Sequence, residues 1–231
     1  MREIVLDTET TGLDPDKGDR IVEIGAVELF NHLPTGVTFQ RYLNPDRTMP
    51  EDAFKVHGLS DAFLADKPRF AQVAADFLAF IGNAPLVIHN AAFDMRFVNA
   101  ELGWQKLALI PFERAIDTVA LARRRFPGAQ ASLDALCRRF GIDRSARTLH
   151  GALLDSQILA EVYLELIGGR QPDLVLAHRD ATGGPTGPAH DGTWRPRPRP
   201  APLPTRLTPA ESTAHAAFVA TLQGGGLWDK P

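Results

Sequence analysis

The chain has one cysteine, no long apolar run and little net charge, and each shortage excludes a class of protein. Cys137 is the only cysteine in 231 residues, which excludes an internal disulfide and a cysteine-based metal site. No apolar run approaches the roughly 20 residues of a membrane span, and the charged first strand does not resemble a signal peptide. A net charge of −3 gives no general attraction to nucleic acid, so any such contact must be local. We therefore expect a cytoplasmic protein with no membrane partner.

The hydrophobic patterns predict an α/β domain over residues 1–170. Apolar, β-branched runs at residues 3–7, 20–30 and 37–43 predict three strands of an antiparallel meander, and the run at 86–88 predicts a short buried strand. Apolar residues spaced by three and four predict helices, the second-last of which holds Cys137 as a core residue. These helices cover residues 70–81, 92–102, 117–125, 132–140 and 151–167, with Asp117 and Ser132 as N-caps. The expected fold is a mixed sheet, a meander plus parallel strands, flanked by helices.

The composition changes after the domain, which predicts an extended C-terminal tail. Residues 177–206 are rich in glycine, proline and arginine, and alternating prolines permit neither helix nor sheet. We interpret this segment as a semi-rigid spacer, with arginine contacts to nucleic acid as the alternative. Residues 207–231 begin with a helical pattern that places Phe218 and Leu222 on one face. Such a short amphipathic tail cannot bury its own core, so it is typical of a docking peptide.

Two carboxylates on the first strand are the most informative residues of the chain. Asp7 and Glu9 are two residues apart in Ile4-Val5-Leu6-Asp7-Thr8-Glu9, and a strand places such residues on one face. Their like charges repel, so something must neutralise them, and acidic oxygens suit hard divalent cations such as Mg²⁺ or Mn²⁺. The alternative is a solvated strand end beside a turn at Thr11-Gly12.

Two further acids and a histidine fit the same hypothesis. Asp94 follows the buried strand at the start of a helix, where the alternative role is to meet the helix dipole. Asp155 lies in an apolar helical stretch and needs a partner or a cation. His150 precedes it by five residues, about 140° away on a helix, so we place His150 on the loop entering the helix. Two divalent ions would balance four carboxylates and suit phosphoryl displacement. The histidine could remove a proton from the attacking water, with capping of the helix start as the alternative.

Three segments in this order resemble the exonuclease motifs of the DEDDh 3′→5′ exonucleases, which have the ribonuclease-H-like fold. They are DTETTG at residues 7–12, HNAAFD at 89–94 and HGALLD at 150–155, and the likeness covers residues 2–168. The resemblance implies that Asp7, Glu9, Asp94 and Asp155 hold two divalent metal ions and that His150 is the general base. The five-residue spacing of His150 and Asp155 is similar to that of the histidine branch of this superfamily.

Weaker likenesses imply substrate and protein contacts. Leu13 and His57 resemble the family's residues near the terminal nucleotide. The segment from Gln171 through Leu174 to Leu176 resembles a peptide that binds a sliding clamp, and the alternative is the frayed end of the domain. Gly225-Gly226-Leu227-Trp228 resembles a tail that docks on a polymerase. The partners so implied are DNA 3′ ends, a sliding clamp and the alpha subunit of bacterial DNA polymerase III, in a nucleoid-associated hetero-oligomer that contains one copy of this chain.

The expected activity is metal-dependent release of 5′-mononucleotides from mispaired primer ends. Two alternatives stay open. One is a general or RNA-trimming 3′→5′ exonuclease, which would share the site but would not need a clamp peptide or docking tail. The other is a non-catalytic adaptor between polymerase and clamp, against which the presence of all five catalytic residue types argues.

Overall fold

The computed structural model describes residues 1–145, 149–169 and 208–221. The chain divides into two compact units, Met1–Leu176 and Ala177–Pro231. Within the described residues, the first unit holds a sheet with helices on both faces and the second holds one helix. The expected α/β domain is therefore confirmed.

The first unit is built on a five-stranded mixed sheet with the strand order β3-β2-β1-β4-β5. β1, β2 and β3 form the expected antiparallel meander, while β4 pairs with β1, and β5 with β4, in parallel. The sequence analysis did not find β5, and it began β3 four residues late. The strands are Arg2–Thr10, Ile21–Phe30, Leu33–Tyr42, Leu86–Ile88 and Ala115–Asp117.

Seven α-helices belong to the described part of this unit. The sequence analysis missed α1 and α2, which are short, and placed the ends of the other five within two residues of their positions. Short 3-10 helices occur at Pro15–Lys17 and Phe112–Arg114. The helices α1 to α7 are Glu51–His57, Asp61–Leu64, Phe70–Ile81, Ala91–Trp104, Thr118–Arg125, Leu133–Phe140 and Ala152–Leu166.

Alternation along β1 divides the core between the two faces of the sheet. Ile4 and Leu6 pack with the α3 and α4 side chains, whereas Val5 packs with side chains of α5, α6 and α7. Cys137 is buried in this second cluster, as expected. Because strand residues alternate, Asp7 and Glu9 continue the face of α7 and Thr8 continues the face of α4. The end of β1 therefore meets both helix layers.

Two predicted N-caps fix the starts of helices near this strand end. The Asp117 carboxylate accepts a hydrogen bond from Val119 N at 2.9 Å, and the Ser132 hydroxyl accepts one from Ala135 N at 3.3 Å. Both side chains satisfy backbone donors that a helix start leaves unpaired.

The described part of the second unit is the helix α8, Pro209–Ala220. Thr208 and Glu211 form a capping box at its start, which confirms the predicted helix, and Phe218 is 62% exposed. The clamp-like segment from Gln171 through Leu174 to Leu176, the Pro/Arg-rich spacer, and Leu222, Leu227 and Trp228 lie outside the described residues. None of the helices in the described ranges has the length and apolar character needed to cross a bilayer.

Candidate active site

β1 carries Asp7 and Glu9 toward the start of α7. The neighbouring strand β2 packs under the start of that helix. Asp7 is paired with Gly25, and Glu9 with Glu23, in the antiparallel register. The Glu23 side chain is 2% exposed, and its Oε2 accepts a hydrogen bond from Ala152 N at 3.2 Å. A carboxylate at the N-terminus of α7 satisfies an unpaired donor there and is favoured by the helix dipole.

Asp94 lies in the first turn of α4 and is held by β1. Its Oδ1 accepts hydrogen bonds from the Thr8 backbone N at 3.0 Å and from the Thr8 hydroxyl at 2.7 Å. The residue before α4, Asn90, has a left-handed backbone with φ of 67°. Asn90 N donates to the Asp117 carboxylate at 3.2 Å, so the cap of α5 also fixes the start of α4. Asp94 is 3% exposed. Both contacts with Thr8 use Oδ1, so Oδ2 takes no part in them.

Asp155 and His150 meet at the N-terminus of α7. His150 is outside the helix, as its spacing predicted, because α7 begins at Ala152 with Gly151 as its N-cap. The His150 Nδ1 lies 3.3 Å from the Asp155 Oδ2, and the His150 backbone N donates to the Val56 carbonyl of α1 at 3.1 Å. The histidine is therefore attached to two elements that are far apart in sequence, while half of its side chain stays open to solvent.

These residues converge on one cavity of about 360 Å³. All five predicted catalytic residues line it: Asp7, Glu9, Asp94, His150 and Asp155. Single ligand atoms of Glu9, His150 and Asp155 lie within 4.8 Å of one another, close enough to share an ion. The described lining includes no lysine or arginine that could neutralise the acids. Carboxylate oxygens are the donors that Mg²⁺ and Mn²⁺ prefer, so the four acids fit such ions, with the His150 imidazole beside them.

Burial and mutual repulsion set the protonation of the acids. Burial, followed by the charges of Asp94, Glu9, Asp155 and Glu23, raises the pKa of Asp7 well above its usual value. Burial also raises the pKa of Asp94 to about 7, although the hydrogen bonds from Thr8 oppose this rise. The raised pKa values mean that burial and repulsion disfavour the charged forms, which a bound cation would stabilise. The cluster thus favours either protons or a bound cation.

Glu23 and Gly25 are site-shaping residues that the sequence analysis missed. A Cβ atom on Gly25 would overlap the backbone of Ala152 and Leu153, and the Ser156 hydroxyl donates to the Gly25 carbonyl at 2.9 Å. This close approach seats α7 on the sheet and brings Asp155 to the cavity. The sequence signal was the presence of Glu23 and Gly25, two residues apart, in a mostly apolar strand pattern.

A second cavity, of about 530 Å³, shares Thr8, Glu9 and Phe93 with the first. The predicted substrate residues Leu13 and His57 both line it, and Leu13 is 80% exposed. The His57 Nδ1 accepts a hydrogen bond from Leu59 N at 3.1 Å, and burial lowers the pKa of His57 although the Thr10 carbonyl opposes this effect. The buried Nε2 makes no hydrogen bond of standard geometry within the described ranges, although the Thr10 carbonyl interacts with the ring. His57 therefore lines this cavity with a ring whose neutral form is favoured by burial.

Known protein families and structures match the first unit. A family model described as "Exonuclease" (RNase_T) matches residues 4–163. The DNA polymerase III subunit epsilon of Rickettsia felis is 57% identical over 174 residues, covering 74% of this chain and 76% of that protein. The Escherichia coli K12 subunit of the same name is 53% identical over 176 residues, covering 73% and 72%.

Solved structures show the same architecture. Exonuclease X in complex with 5′ overhanging duplex DNA is 30% identical with a TM-score of 0.56, covering 71% of this chain and 90% of that one. The nuclease domain of 3′hExo, a DEDDh family member bound to rAMP, has a TM-score of 0.62 at 22% identity, with coverages of 71% and 90%, and supports the fold alone. The chain therefore belongs to the exonuclease family and, within it, to the bacterial DNA polymerase III epsilon subunits.

Proposed function

We propose that this chain is the proofreading 3′→5′ exonuclease of a bacterial replicative DNA polymerase, releasing 5′-mononucleotides from mispaired primer ends. The observation that supports it most is the convergence of Asp7, Glu9, Asp94, Asp155 and His150 on one cavity. Relatives that are more than 50% identical carry the epsilon-subunit name. The reaction is hydrolysis of a phosphodiester bond.

The four acids are the proposed ligands of two divalent ions, which would supply charge neutralisation and an activated water. Asp7 is repelled by Asp94, Glu9 and Asp155, and the family resemblance implies that it is the ligand shared by both ions. Glu9 and Asp155 lie beside His150. Asp94 is held by Thr8 through one oxygen, which leaves the other for a cation or its water.

His150 is the proposed general base for the attacking water. The short distance between its Nδ1 and the Asp155 carboxylate favours a proton on Nδ1, which leaves Nε2 as the acceptor. Its exposed ring can pass the proton on to solvent. A positioned histidine base contributes about 10²–10⁴-fold to such reactions.

The proposed substrate is an unpaired 3′ end, with its terminal nucleotide in the second cavity. A mispaired end frays at a lower free-energy cost than a paired one, so discrimination needs no base-specific contact. Leu13, which is exposed at this cavity, would separate the terminal bases, and His57, which lines the same cavity, would contact the nucleotide.

The proposed partners are the alpha subunit of DNA polymerase III and the sliding clamp, in a complex with one copy of this chain at the bacterial nucleoid. The polymerase would bind α8 and the residues after it, including Phe218, Leu222, Leu227 and Trp228. The clamp would bind Gln171, Leu174 and Leu176. Tethering at both sites raises the effective concentration of the nuclease at the primer end.

Primer digestion tests the activity. A 3′-mismatched primer–template should lose its terminal nucleotide in Mg²⁺ or Mn²⁺, faster than a matched one, and remain intact in EDTA. Asp7→Ala should abolish the loss. Absence of metal-dependent digestion would favour the non-catalytic adaptor, and preferential digestion of RNA would favour the RNA-trimming alternative.

Deletion of residues 207–231 tests the polymerase contact separately. The truncated chain should keep its nuclease activity on free DNA and lose co-purification with the alpha subunit. Unchanged co-purification would contradict the docking role of the tail and favour a general exonuclease.

A further inference from the structure

α6 connects the catalytic cavity to a basic surface that no step above uses. Ser132, Leu133 and Asp134, at the start of α6, line the catalytic cavity. Arg138 and Arg139, near its end, line a separate open cavity of about 560 Å³ with Ala129 and Gln130. Asp134 and Arg138 are four residues apart and so lie on the same face of the helix, about one 5.4 Å turn apart.

The charge of this region is opposite to that of the whole chain. Residues 118–140 contain five arginines and one acid, whereas the formal net charge of the chain is −3. The single acid, Asp134, already forms an ion pair with Arg144 at 2.6 Å. The sequence analysis concluded that any attraction to nucleic acid must be local, and this basic region is a local positive surface of that kind.

The five arginines have different roles. Arg125 is used internally, because its Nη1 donates to the Glu165 and Leu166 carbonyls at the end of α7, at 2.7 Å each. Arg139 lies over the Phe126 ring at 4.4 Å from its centroid, which leaves the edge of the guanidinium free to donate. Arg123, Arg124 and Arg138 are exposed and have no carboxylate partner among the described side chains.

The contact between Arg139 and Phe126 places the end of α5 beside the end of α6. The exposed Arg123 and Arg124 at the end of α5 thereby extend the basic surface beyond Arg138 and Arg139. We call Arg123, Arg124, Arg138 and Arg139 the α5–α6 arginine surface. It begins about one helical turn from the rim of the catalytic cavity.

We infer that the α5–α6 arginine surface binds the phosphates of the DNA strand upstream of its terminal nucleotide. The two cavities that share Glu9 and Phe93 would take the terminal nucleotide and the scissile phosphate. The rest of the strand then leaves past Ser132 and Asp134 along α6. Arginine guanidinium groups donate to phosphate oxygens without reading the bases, which suits an enzyme that must act on any sequence.

This inference deepens the proposed function and rests on it, so the experiment separates the two. The test uses the double variant R138Q/R139Q in the full chain and two substrates. One substrate is a single-stranded DNA 12-mer, and the other is the p-nitrophenyl ester of thymidine 5′-monophosphate, which has no upstream phosphates. The matched control is R41Q/R69Q, which also removes two exposed positive charges but lies outside both site cavities.

For R138Q/R139Q we expect the KM for the 12-mer to rise about tenfold at moderate salt, with kcat retained. The slope of log KM against log salt concentration should flatten by about 0.7 for each phosphate that the variant no longer binds. The ester, which reports on the integrity of the catalytic cavity, should be hydrolysed as by the wild type, and R41Q/R69Q should leave the 12-mer KM and slope unchanged.

Unchanged KM and slope in R138Q/R139Q, or equal changes in R41Q/R69Q, would refute this inference alone, provided that the wild type degrades the 12-mer. A wild type inactive on both substrates would instead refute the proposed function. Loss of alpha-subunit binding in R138Q/R139Q without a change in DNA kinetics would assign the surface to a protein partner and overturn the inference.

Discussion

Gly25 lies directly opposite Asp7 in the β1–β2 pair, and the backbone of Ala152 occupies the space that a Gly25 side chain would fill. One position thus joins the strand that carries the first acid to the helix that carries the last. The spacing between the acids depends on how closely α7 approaches the sheet at this point. A metal site tolerates little change in that spacing.

Gly25→Ala should therefore impair catalysis more than a typical glycine replacement. The added methyl group displaces α7, and a displacement of about 1 Å at a reacting centre costs about 10²-fold in kcat. The matched control is Gly103→Ala in α4, where a Cβ would meet only Leu109 at 3.8 Å and kcat should be retained. Steady-state digestion of the 12-mer measures both, and equal kcat in the two variants would contradict the close-packing argument.

His150→Ala should lower kcat by about 10²–10⁴-fold while metal binding survives. The proposed carboxylate ligands remain in place, and the exposed histidine is attached to α1 through its backbone rather than its ring. Calorimetric titration with Mn²⁺ measures the affinity, and His150→Gln controls for side-chain volume. A large loss of Mn²⁺ affinity in both variants would identify His150 as a metal ligand instead of a base.

The metal-free protein should lose stability as the pH rises through about 7. The folded state raises the pKa of Asp94 to about 7 and that of Asp7 well above 3.8. Between the unfolded-state and folded-state pKa values, the folded state binds more protons than the unfolded state, so the free energy of unfolding falls as the pH rises. The contribution of these acids to stability is therefore full below the unfolded-state pKa and is lost as the pH rises through the folded-state pKa. Urea unfolding in EDTA from pH 5 to 8 measures this slope.

Asp94→Asn should flatten that slope, since the amide cannot ionise, and Asp76→Asn on the exposed side of α3 should not. Added Mg²⁺ should raise the Tm of the wild type more at pH 8 than at pH 6, because cations compete with protons for these oxygens. A metal-free wild type equally stable at both pH values would show that the acids are not held protonated.

Tyr163→Phe should destabilise the fold without a change in kcat. The Glu3 side chain is fully buried. It accepts a hydrogen bond from the Tyr163 hydroxyl at 2.8 Å, and its other oxygen lies 2.7 Å from the His32 Nδ1. Burial and the Glu3 carboxylate raise the pKa of Tyr163, so the hydroxyl keeps its proton. Removing this donor leaves a buried carboxylate short of a partner, at a cost of about 1–3 kcal/mol.

Urea unfolding measures that cost, and 12-mer digestion checks that activity is kept. A loss of kcat in Tyr163→Phe comparable to that in Gly25→Ala would show that the whole of α7 shifts with either change. Unchanged stability would show that water replaces the tyrosine hydroxyl.

The sequence predicted the parts of the fold that depend on local pattern. α3 was predicted with its observed ends, Phe70–Ile81, because its apolar spacing is regular. The side-by-side placement of Asp7 and Glu9 followed from strand geometry, and the loop position of His150 followed from helix geometry. Each of these inferences depends only on residues that are close together in the sequence.

What the sequence could not predict depends on partners that are distant in the chain. β5 has three residues and becomes a strand through pairing with β4, while α1 is too short for a periodic pattern to reveal. The role of Glu23, which accepts a hydrogen bond from Ala152 N, depends on the strand register that brings β2 under the start of α7. A strand pattern cannot indicate which helix approaches its glycine, so Gly25 also escaped notice.

The order of the acids along the chain has a consequence for synthesis. Asp7 lies in β1 and is translated well before Asp155, which belongs to α7, the last described helix of the first unit. A nascent chain that ends before α7 lacks Asp155 and therefore one of the proposed cation ligands. We therefore expect nuclease activity only in chains that include α7, and none in fragments that end before it.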